Sequence, residues 1–494
     1  MTEYTFSQGA ESSSIEALFH QAAGHAAEYR SALPKRGIRP AIKAEQIEQA
    51  FALPTPESGE TGSAILSDLA ANAEPGLMGM ASPRFFGWVI GASHPVGVAA
   101  DMMTSAWGQN SCMSYATPAA AYVEKAAAGW LLDLLDLPRE ASVGFVTGAT
   151  MANFVCLAAA RTRIYRKAGW DIDEQGFAGA PDVTILIGED AHASVYSALQ
   201  YLGFGRSRAV RIATDAQGRM IPTALQAQLE ASTAPAIVIC QAGQINTGAI
   251  DPFEEIVPIC RRFGAHLHVD GAFGLWARAC RDRAHLAVGI EGADSWATDG
   301  HKWLQLPYES GFAIVRDEAA HRAAMSICAS YLIQEDKPYN PKDYVPELSR
   351  RARGFPAWAV IRALGRKGID EMISRHCCLA RQLANRLRRE PGICVLNSVT
   401  LNQLIVDFDI DGPDRAKIVR EVVRTIHERD KVFVETAEWR RRLILRVSIT
   451  SGETRLEDVQ TLEDEIILAW RKCRPSHHQN LNDTEETELH HVTA

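Results

Sequence analysis

The segment His266-Leu267-His268-Val269-Asp270-Gly271-Ala272 decides the fold that this sequence encodes. A strand-like run leads here into an acidic side chain and two small residues. Short apolar runs of the same kind recur at 183–187, 236–240 and 312–315. Helical patterns lie between them, at 119–135, 151–167, 193–202 and 252–263. Apolar strands that alternate with helices predict an α/β fold with a mostly parallel sheet covered on both faces. Catalytic groups in such sheets gather at the carboxyl ends of strands, where Asp270 stands.

The pattern changes on both sides of this central region. The chain of 494 residues is long enough for two or three domains. Helical patterns at 14–30 and 67–73 predict an N-terminal helical segment over 1–80, followed by a large domain over 81–345. A helical stretch at 358–389 and strand-like runs at 403–408 and 443–449, which flank a helical run at 416–429, predict a smaller α+β domain over 346–474. The polar residues 475–494 are predicted to be a disordered tail.

Composition and charge narrow the possible classes of function. The net charge of −9 argues against a nucleic-acid-binding protein, which needs a basic surface. The sequence has no run of about 20 apolar residues and begins with polar and acidic residues, so we expect neither a membrane span nor a secretory signal. The ten cysteines have no metal-binding or disulfide spacing. We therefore expect a cytoplasmic protein with reduced cysteines and no structural metal.

Two residues have the surroundings of catalytic groups. Asp270 is an acid at the end of a predicted strand, beside small residues that leave room for a flat ligand; the alternative is an Asp that caps a helix or lies on the surface. Lys302 follows the segment Ser295-Trp296-Ala297-Thr298-Asp299-Gly300-His301, which predicts a partly desolvated amine. Desolvation lowers the pKa of a lysine and makes it nucleophilic, although most lysines are solvated surface groups.

Two further elements suit an anion and an aromatic ring. Gly148, Ala149 and Thr150 stand at the start of the helical stretch 151–167, where backbone N–H groups can bind a phosphate. The alternative is a helix N-cap formed by Thr150. No P-loop lysine is present, so a nucleoside triphosphate is not indicated. His192 follows the strand at 183–187 and can stack on an aromatic ring, or it is a structural histidine.

Together, these elements meet the requirements of pyridoxal 5′-phosphate (PLP). PLP needs a lysine for its aldehyde, an acid for its ring nitrogen, a cradle for its phosphate and a face for its ring. The acid matters most, because a protonated ring nitrogen withdraws electrons from a carbanion at the substrate Cα. Each element is a weak signal alone, but in this order they predict a PLP enzyme with Lys302, Asp270, His192 and the helix start at Ala149 in its site.

The sequence resembles the group II PLP-dependent amino acid decarboxylases, the family of the aromatic-L-amino-acid, histidine and glutamate decarboxylases. The resemblance covers roughly 83–449 and is most specific at His192, at His268-Val269-Asp270 and at His301-Lys302-Trp303-Leu304. It implies PLP-dependent transferase fold type I and a homodimer with active sites at the subunit interface, the N-terminal segment packing on the partner. It also implies that Lys302 carries the cofactor, that Asp270 pairs with the ring nitrogen and that His192 lies on the ring face.

The same resemblance implies roles for five other residues. It assigns Ala149 and Thr150 to the phosphate and places His301 near the phosphate and the substrate carboxylate. Tyr331 matches the loop tyrosine that protonates the substrate carbanion; the alternative is a surface tyrosine. Trp88 lies in a segment that resembles the wall of the family's substrate pocket, and core packing is its alternative.

Some positions depart from the family's pattern. Asp299 stands where relatives carry Asn near the phosphate, and a carboxylate there repels a dianion unless it is turned away or paired. Gln244 stands where relatives have a cofactor-contacting Thr, with Asn246 and Thr247 as possible substitutes. His266 and His268 share one strand face; we interpret them as packed residues rather than as metal ligands, since no third ligand is suitably spaced.

The sequence therefore predicts decarboxylation of an L-amino acid, preferably an aromatic one, to the corresponding amine and CO₂. Two alternatives stay open. One is another PLP reaction, either aldehyde synthesis or amino transfer. The other is a catalytically silent homologue that acts as an oligomeric scaffold, against which the intact set of Asp270, His192 and Lys302 argues.

Overall fold

Three helices with few buried residues precede the main body of the molecule. The computed structural model describes residues 14–326, 339–410, 412 and 414–474. The hydroxyl of Ser14 accepts a hydrogen bond from the Ala17 N–H, and Thr61 does the same for Ala64, so each caps the helix that follows it. None of the residues in these helices is fully buried within the chain. The helices are α1 (Ile15–Ala32), α2 (Ala44–Phe51) and α3 (Gly62–Ala73).

A seven-stranded sheet forms the centre of the large domain. In chain order its strands are β1 (Ser142–Val146), β2 (Thr184–Gly188), β3 (Val210–Ile212), β4 (Ala236–Gln241), β5 (His266–Asp270), β6 (Ser295–Asp299) and β7 (Gly311–Val315). Their spatial order is β1-β7-β6-β5-β4-β2-β3. Strand β7 is antiparallel to both of its neighbours, and the other pairs in this sheet are parallel. The expected mostly parallel sheet is therefore confirmed.

Helices cover both faces of this sheet. In β4, Val238 and Cys240 belong to one apolar core, while Ile237 and Ile239 belong to the core on the opposite face. A strand buried on both faces reads as a continuous apolar run, which explains why the sequence reveals it. The covering helices are α4 (Pro95–Trp107), α5 (Pro118–Leu134), α6 (Ala149–Lys167), α7 (Ile172–Gln175), α8 (Ala193–Tyr201), α9 (Pro222–Ala231), α10 (Phe253–Arg262), α11 (Glu318–Met325) and α12 (Gly354–Leu387).

A second, smaller sheet forms an α+β unit at the C-terminal side. Its strands are β8 (Ile393–Val395), β9 (Gln403–Phe408), β10 (Glu435–Trp439) and β11 (Arg442–Ser448), and its helices are α13 (Arg415–Arg429) and α14 (Leu456–Cys473). The strands pair in the antiparallel order β10-β11-β9-β8. Helix α12 leads into this unit and is broken at Gly365, whose φ of 61° is not helical. The expected fold class is confirmed, whereas the predicted domain boundaries stay a prediction.

A buried ion pair ties the large domain to the start of α12. Arg350 donates hydrogen bonds to both carboxylate oxygens of Glu124, at 2.8 and 2.9 Å, and to the carbonyl of Phe145 at 2.8 Å. The two charged side chains are 0% and 1% exposed. Burial raises the pKa of Glu124, and Arg350 opposes this rise. The carboxylate therefore depends on its partner to stay charged.

Among the described helices, none is both long enough and apolar enough to cross a membrane.

Replacing Arg350 by Met should lower the free energy of unfolding by about 3–5 kcal/mol, because it leaves a buried carboxylate without its cation. The neighbouring Arg351 offers a matched control, since its ion pair with Asp101 is partly exposed, at 36% and 29%. Arg351→Met should change the free energy by about 1 kcal/mol or less. Urea denaturation measures both, and equal effects of the two variants would contradict a special role of the buried pair.

Candidate active site

A cavity of about 320 Å³ opens at the carboxyl edge of the larger sheet. Its wall is built from the segments that follow β1, β4, β5 and β6 and from the beginnings of α6 and α8. The sequence-predicted residues that it brings together are Gly148, Ala149, Thr150, His192, Asp270, His301 and Lys302. Parallel strands deliver these residues to one edge because their carboxyl ends coincide there.

Lys302 follows β6 and points its amine at a carboxylate. The Lys302 Nζ lies 2.8 Å from Asp299 Oδ2, and the lysine side chain is 17% exposed. The predicted partial desolvation is thus present. The backbone of Gly91 passes directly behind this turn, its N–H donating to the His301 carbonyl at 2.9 Å. A Cβ at position 91 would lie 2.2 Å from the Lys302 carbonyl oxygen, so only glycine fits there.

Asp270 ends β5 and is 7% exposed. Its Oδ1 accepts a hydrogen bond of 3.3 Å from the N–H of Ala272. Burial raises the pKa of Asp270, whereas the nearby His192 and Lys302 lower it. A cationic group placed beside this carboxylate would lower its pKa further. The position is therefore prepared for a positively charged partner.

His192 precedes α8 and is held in a defined orientation. Its Nδ1 accepts a hydrogen bond from the Ser194 N–H at 3.2 Å and lies 2.8 Å from the Ser194 hydroxyl. The proton of the neutral ring is therefore on Nε2. Burial lowers the pKa of His192, and the field of Asp270 acts in the opposite direction. The imidazole is thus a flat, uncharged surface at neutral pH.

The beginning of α6 supplies backbone N–H groups to the cavity. Gly148 is the residue before the helix, so the alternative of an N-cap formed by Thr150, which lies in the first turn, is wrong. A Cβ at Gly148 would lie 3.1 Å from His301 Cε1 and 3.2 Å from Asp299 Oδ1. The small residue therefore leaves a cradle between the helix start and the His301 ring. A helix start of this kind favours an anion.

Comparison with known proteins identifies the family. The family model described as the pyridoxal-dependent decarboxylase conserved domain matches residues 44–406. The chain belongs to the pyridoxal-dependent decarboxylase family. The predicted family, enzyme class (a PLP-dependent carboxy-lyase) and cofactor are therefore confirmed.

Individual relatives are similar over most of the chain. An acidic amino acid decarboxylase of Mus musculus is 29% identical over 361 residues, which is 71% of this chain and 64% of that protein. An aromatic-L-amino-acid decarboxylase of Bacillus atrophaeus is 25% identical over 476 residues, covering 92% and 96% of the two chains. The crystal structure of Oryza sativa TDC with PLP and tryptamine has a TM-score of 0.87 at 21% identity and covers 95% of this chain and 99% of that one. The last likeness shows the fold.

The residues of this pyridoxal-dependent decarboxylase family member fit PLP. The cavity offers an amine at Lys302, a buried acid at Asp270, a flat ring at His192 and free space at the helix start beside Gly148. These are the groups that the aldehyde, the ring nitrogen, the ring face and the phosphate require. No group of three or more metal-binding side chains occurs within the described part of the chain.

Asp299 is the exception in this fit. Its Oδ1 accepts a hydrogen bond of 2.6 Å from the N–H of Ala149, a group that the family resemblance assigns to the phosphate. Its Oδ2 faces Lys302, and His301 Nε2 lies 3.5 Å from Oδ1. The Asp299 carboxylate is thus paired, as a carboxylate next to a dianionic phosphate has to be. It nevertheless competes with a phosphate for the same helix start.

Gln244 with its proposed substitutes, and Trp88, stand apart from the cavity wall. Gln244 uses its carbonyl oxygen to accept from the N–H groups of Asn246 and Thr247, and the Thr247 hydroxyl donates to Gln217. Neither the glutamine nor its proposed substitutes line the cavity. Trp88 is 39% exposed and packs with Phe85 and Phe433, at centroid distances of 5.7 and 5.9 Å, outside the cavity wall. Tyr331 lies outside the described residues.

Two residues near the site have no clear signal in the sequence. Tyr308 places its ring 4.5 Å from the His301 ring, and burial raises the pKa of Tyr308 to about 12. Arg446 on β11 donates to Asn246 at 3.3 Å and is one of the charges that lower the pKa of His192. Tyr308 follows Lys302 by six residues but belongs to no recognisable motif, and Arg446 reaches the site from a segment distant in sequence.

His266 and His268 form a packed polar ladder below the site. His268 contacts Asn153 and the Ser295 hydroxyl, both at 2.9 Å, and His266 contacts the same hydroxyl at 3.1 Å. Burial lowers the pKa of His266 to about 4 and that of His268 to about 3. These contacts support the interpretation of packed histidines.

Replacing Asp299 by Asn should tighten PLP binding about tenfold, because the amide keeps an acceptor for the Ala149 N–H and removes a negative charge from beside the phosphate. Equilibrium dialysis of the holoenzyme measures the dissociation constant. Asp182→Asn is the matched control, since that carboxylate is 83% exposed and pairs with Arg208 on the surface. Weaker binding by the Asp299 variant would show that the carboxylate supports the cofactor.

The buried histidines should make the protein sensitive to acid. A histidine whose pKa falls on folding stabilises the folded state above its unfolded pKa of 6.5, and this stability is lost as the pH decreases below that value. His268→Gln should therefore reduce the slope of unfolding free energy between pH 6 and about 4 by up to about 1.4 kcal/mol per pH unit. Urea denaturation across this range checks the slope. The exposed His285 provides the control, and an unchanged slope in the His268 variant would refute the assignment.

Proposed function

We propose that this chain removes CO₂ from an aromatic L-amino acid and releases the corresponding amine. The observation that carries the proposal is the meeting of Lys302 and the buried Asp270 on one cavity, beside the start of α6. A nucleophilic amine and a buried acid at the two ends of a flat space suit a cofactor that is bound at its aldehyde and at its ring nitrogen.

Each side chain has a distinct task in this proposal. When bound, PLP supplies a ring that accepts the electron pair left at the substrate Cα. The amine of Lys302 would hold the cofactor at its aldehyde until a substrate amine takes its place. Asp270 would keep a proton on the ring nitrogen, and the neutral ring of His192 would cover one face of the cofactor. The N–H groups of α6, with Thr150 and His301, bind the phosphate.

Cleavage needs a dry site and a proton. Removing water destabilises the substrate carboxylate relative to neutral CO₂, so exclusion of solvent favours the reaction. The proton then has to reach Cα, and Tyr331 is our proposed donor, from the family resemblance. The same resemblance gives Trp88 a place beside the substrate side chain. Because Trp88 lies outside the cavity wall of its own chain, this place requires a second subunit or a rearrangement.

The lining of the cavity favours an aromatic over an acidic substrate. Ile245 and Phe273 contribute apolar surface, and Lys302 is committed to the cofactor. Among the described lining residues there is no arginine that could bind a second carboxylate. Both substrate classes occur among the relatives, one being an aromatic-L-amino-acid and the other an acidic amino acid decarboxylase.

The PLP-loaded enzyme, tested on the twenty amino acids, should release CO₂ and amine in equal amounts and prefer aromatic substrates over acidic ones by at least about tenfold in kcat/KM. Lys302→Ala should lose the cofactor's absorption at the visible edge and at least about a thousand-fold of the activity. Lys367→Ala, on an 88% exposed lysine, is the control. Aldehyde, ammonia and peroxide as products would indicate an aldehyde synthase, and failure to bind PLP would indicate a scaffold.

A homodimer explains the exposed apolar side chains of the N-terminal helices α1 and α3 and of α4, which follows them in the large domain. Eight large apolar residues of α1, α3 and α4 are more than a third exposed in the single chain: Ile15, Phe19, Ile65, Leu69, Val96, Met102, Met103 and Trp107. Exposed apolar surface of this extent is typical of protein interfaces. The proposal is that the N-terminal segment packs on the partner subunit, next to the active site.

Light scattering should therefore give twice the chain mass of 54.1 kDa. The double substitution of Phe19 and Leu69 by Glu should produce monomers and lower kcat/KM at least about tenfold, since charges at an apolar interface are unfavourable. Tyr201→Glu, at a site that is 65% exposed outside these helices, should leave the mass unchanged. A monomeric wild-type enzyme with full activity would refute the dimer.

A further inference from the structure

A second cavity, of about 360 Å³, lies against the segment that follows Lys302. It shares no lining residue with the active-site cavity. Three guanidinium groups line it, those of Arg30 from α1, Arg375 from α12 and Arg455 from the segment before α14, and we call it the arginine cavity. The mechanism proposed above uses none of these residues.

Positive charge is concentrated in the arginine cavity. Arg375 and Arg455 both donate to the carbonyl oxygen of Gly452, at 2.7 and 3.1 Å, so two cationic groups meet at one oxygen. The carboxylate in the lining belongs to Glu453, which is 44% exposed and 3.7 Å from Arg30. Three cations therefore face one carboxylate. The guanidinium groups of Arg375 and Arg455, which share one carbonyl oxygen, repel each other.

Neighbouring titratable groups do not neutralise this excess. Burial lowers the pKa of His94, whose Nδ1 accepts from the Val96 N–H, so the ring is uncharged at neutral pH. Glu371, outside the lining, is 62% exposed, pairs with Lys367 at 3.7 Å and offsets only part of the charge of Arg375. Asp458 accepts the backbone N–H of Arg455 at 2.9 Å as part of a helix cap. The cavity thus keeps a positive field.

The arginine cavity also holds an unused donor. The Nε–H of Arg375 is buried and has no hydrogen-bond partner in the described structure. Buried donors are almost always paired, and a guanidinium fork matches the oxygens of a phosphate or a carboxylate. We propose that the arginine cavity binds a small oxyanion with two negative charges, either a phosphate ester or a dicarboxylate.

Gln305 connects this cavity to the catalytic lysine. It lines the cavity, is 2% exposed and joins three segments through one amide. Its Oε1 accepts from the N–H groups of Ala92 and Gly452, each at 3.0 Å, and its Nε2 donates to the carbonyls of Lys302 at 3.1 Å and Thr450 at 2.7 Å. An anion that draws Arg375 and Arg455 away from Gly452 therefore changes the position of the segment around Gly452. Through Gln305, this segment is hydrogen-bonded to the backbone of Lys302.

A second connection runs beside the first. His376 follows Arg375 in α12, and its Nδ1 accepts a hydrogen bond of 2.9 Å from the indole N–H of Trp303. Trp303 is the residue after Lys302, and both partners of this hydrogen bond are fully buried. Binding in the arginine cavity is thus coupled to the position of Lys302, and the anion acts as a regulator of the active site. The binding itself does not depend on the proposed reaction.

Calorimetric titration of the full-length holoenzyme with inorganic phosphate, at constant ionic strength set by NaCl, tests this proposal. Bound PLP fills the phosphate cradle of the active site, so that the titration reports other sites. We expect saturable binding that weakens at least tenfold in the double variant Arg375→Gln/Arg455→Gln. Glu453→Gln should bind phosphate more tightly, since it removes the opposing carboxylate. Arg424→Gln, in an exposed cluster of ion pairs on α13, should bind like the wild type.

The opposite signs of these variants separate binding from damage to the fold. Equal affinity in the wild type and the double variant, or weaker binding in Glu453→Gln, would overturn the proposal. Titration with malonate distinguishes the two ligand sources, because the better ligand identifies an ester or a dicarboxylate site. Circular dichroism of the cofactor should change at phosphate saturation in the wild type and stay constant in Gln305→Leu. An unchanged wild-type signal would refute the coupling to Lys302.

Discussion

The pairing of β5 with β6 is the constraint on which the site depends. Asp270 lies opposite Ala297 in this parallel ladder, and the hydrogen bonds continue past the strands: the Gly271 N–H donates to the Ala297 carbonyl, and the Asp299 N–H donates to that of Ala272. These main-chain hydrogen bonds therefore fix the position of Asp270 and the start of the turn that leads to Lys302. Since both faces of the sheet are buried, a shift of register would disturb two cores at once.

This frame concentrates charges that need a bound partner. Asp270 and Asp299 are both buried, and the charge of Asp299 raises the free energy of the charged form of Asp270. In the proposed function, a protonated ring nitrogen beside Asp270 would balance one of these charges. Asp299 is balanced by Lys302 and by the helix start, the two groups that the cofactor also requires. The site is thus arranged so that attachment of the cofactor redistributes charge among groups that are already in contact.

The sequence predicts those features that one short segment determines. Strand β4 is recognisable because both of its faces are buried, and Asp270 and Lys302 are recognisable because they follow strands in a characteristic order. Strand β10 was missed because its polar, half-buried residues show no apolar run. The break of α12 at Gly365 has no local signature. The contact of Trp88 with Phe433, the approach of Arg446 and the arginine cavity join residues that are far apart in the chain, so tertiary structure was needed to find them.

The protonation of the cofactor's ring nitrogen reports most directly on the proposed task of Asp270. Nitrogen NMR of the holoenzyme, loaded with PLP that carries ¹⁵N in its ring, measures it at neutral pH. We expect a protonated nitrogen in the wild type and an unprotonated one in Asp270→Asn, since the amide has no negative charge to hold the proton. An unprotonated nitrogen in the wild type, or the same protonation in both proteins, would contradict this role.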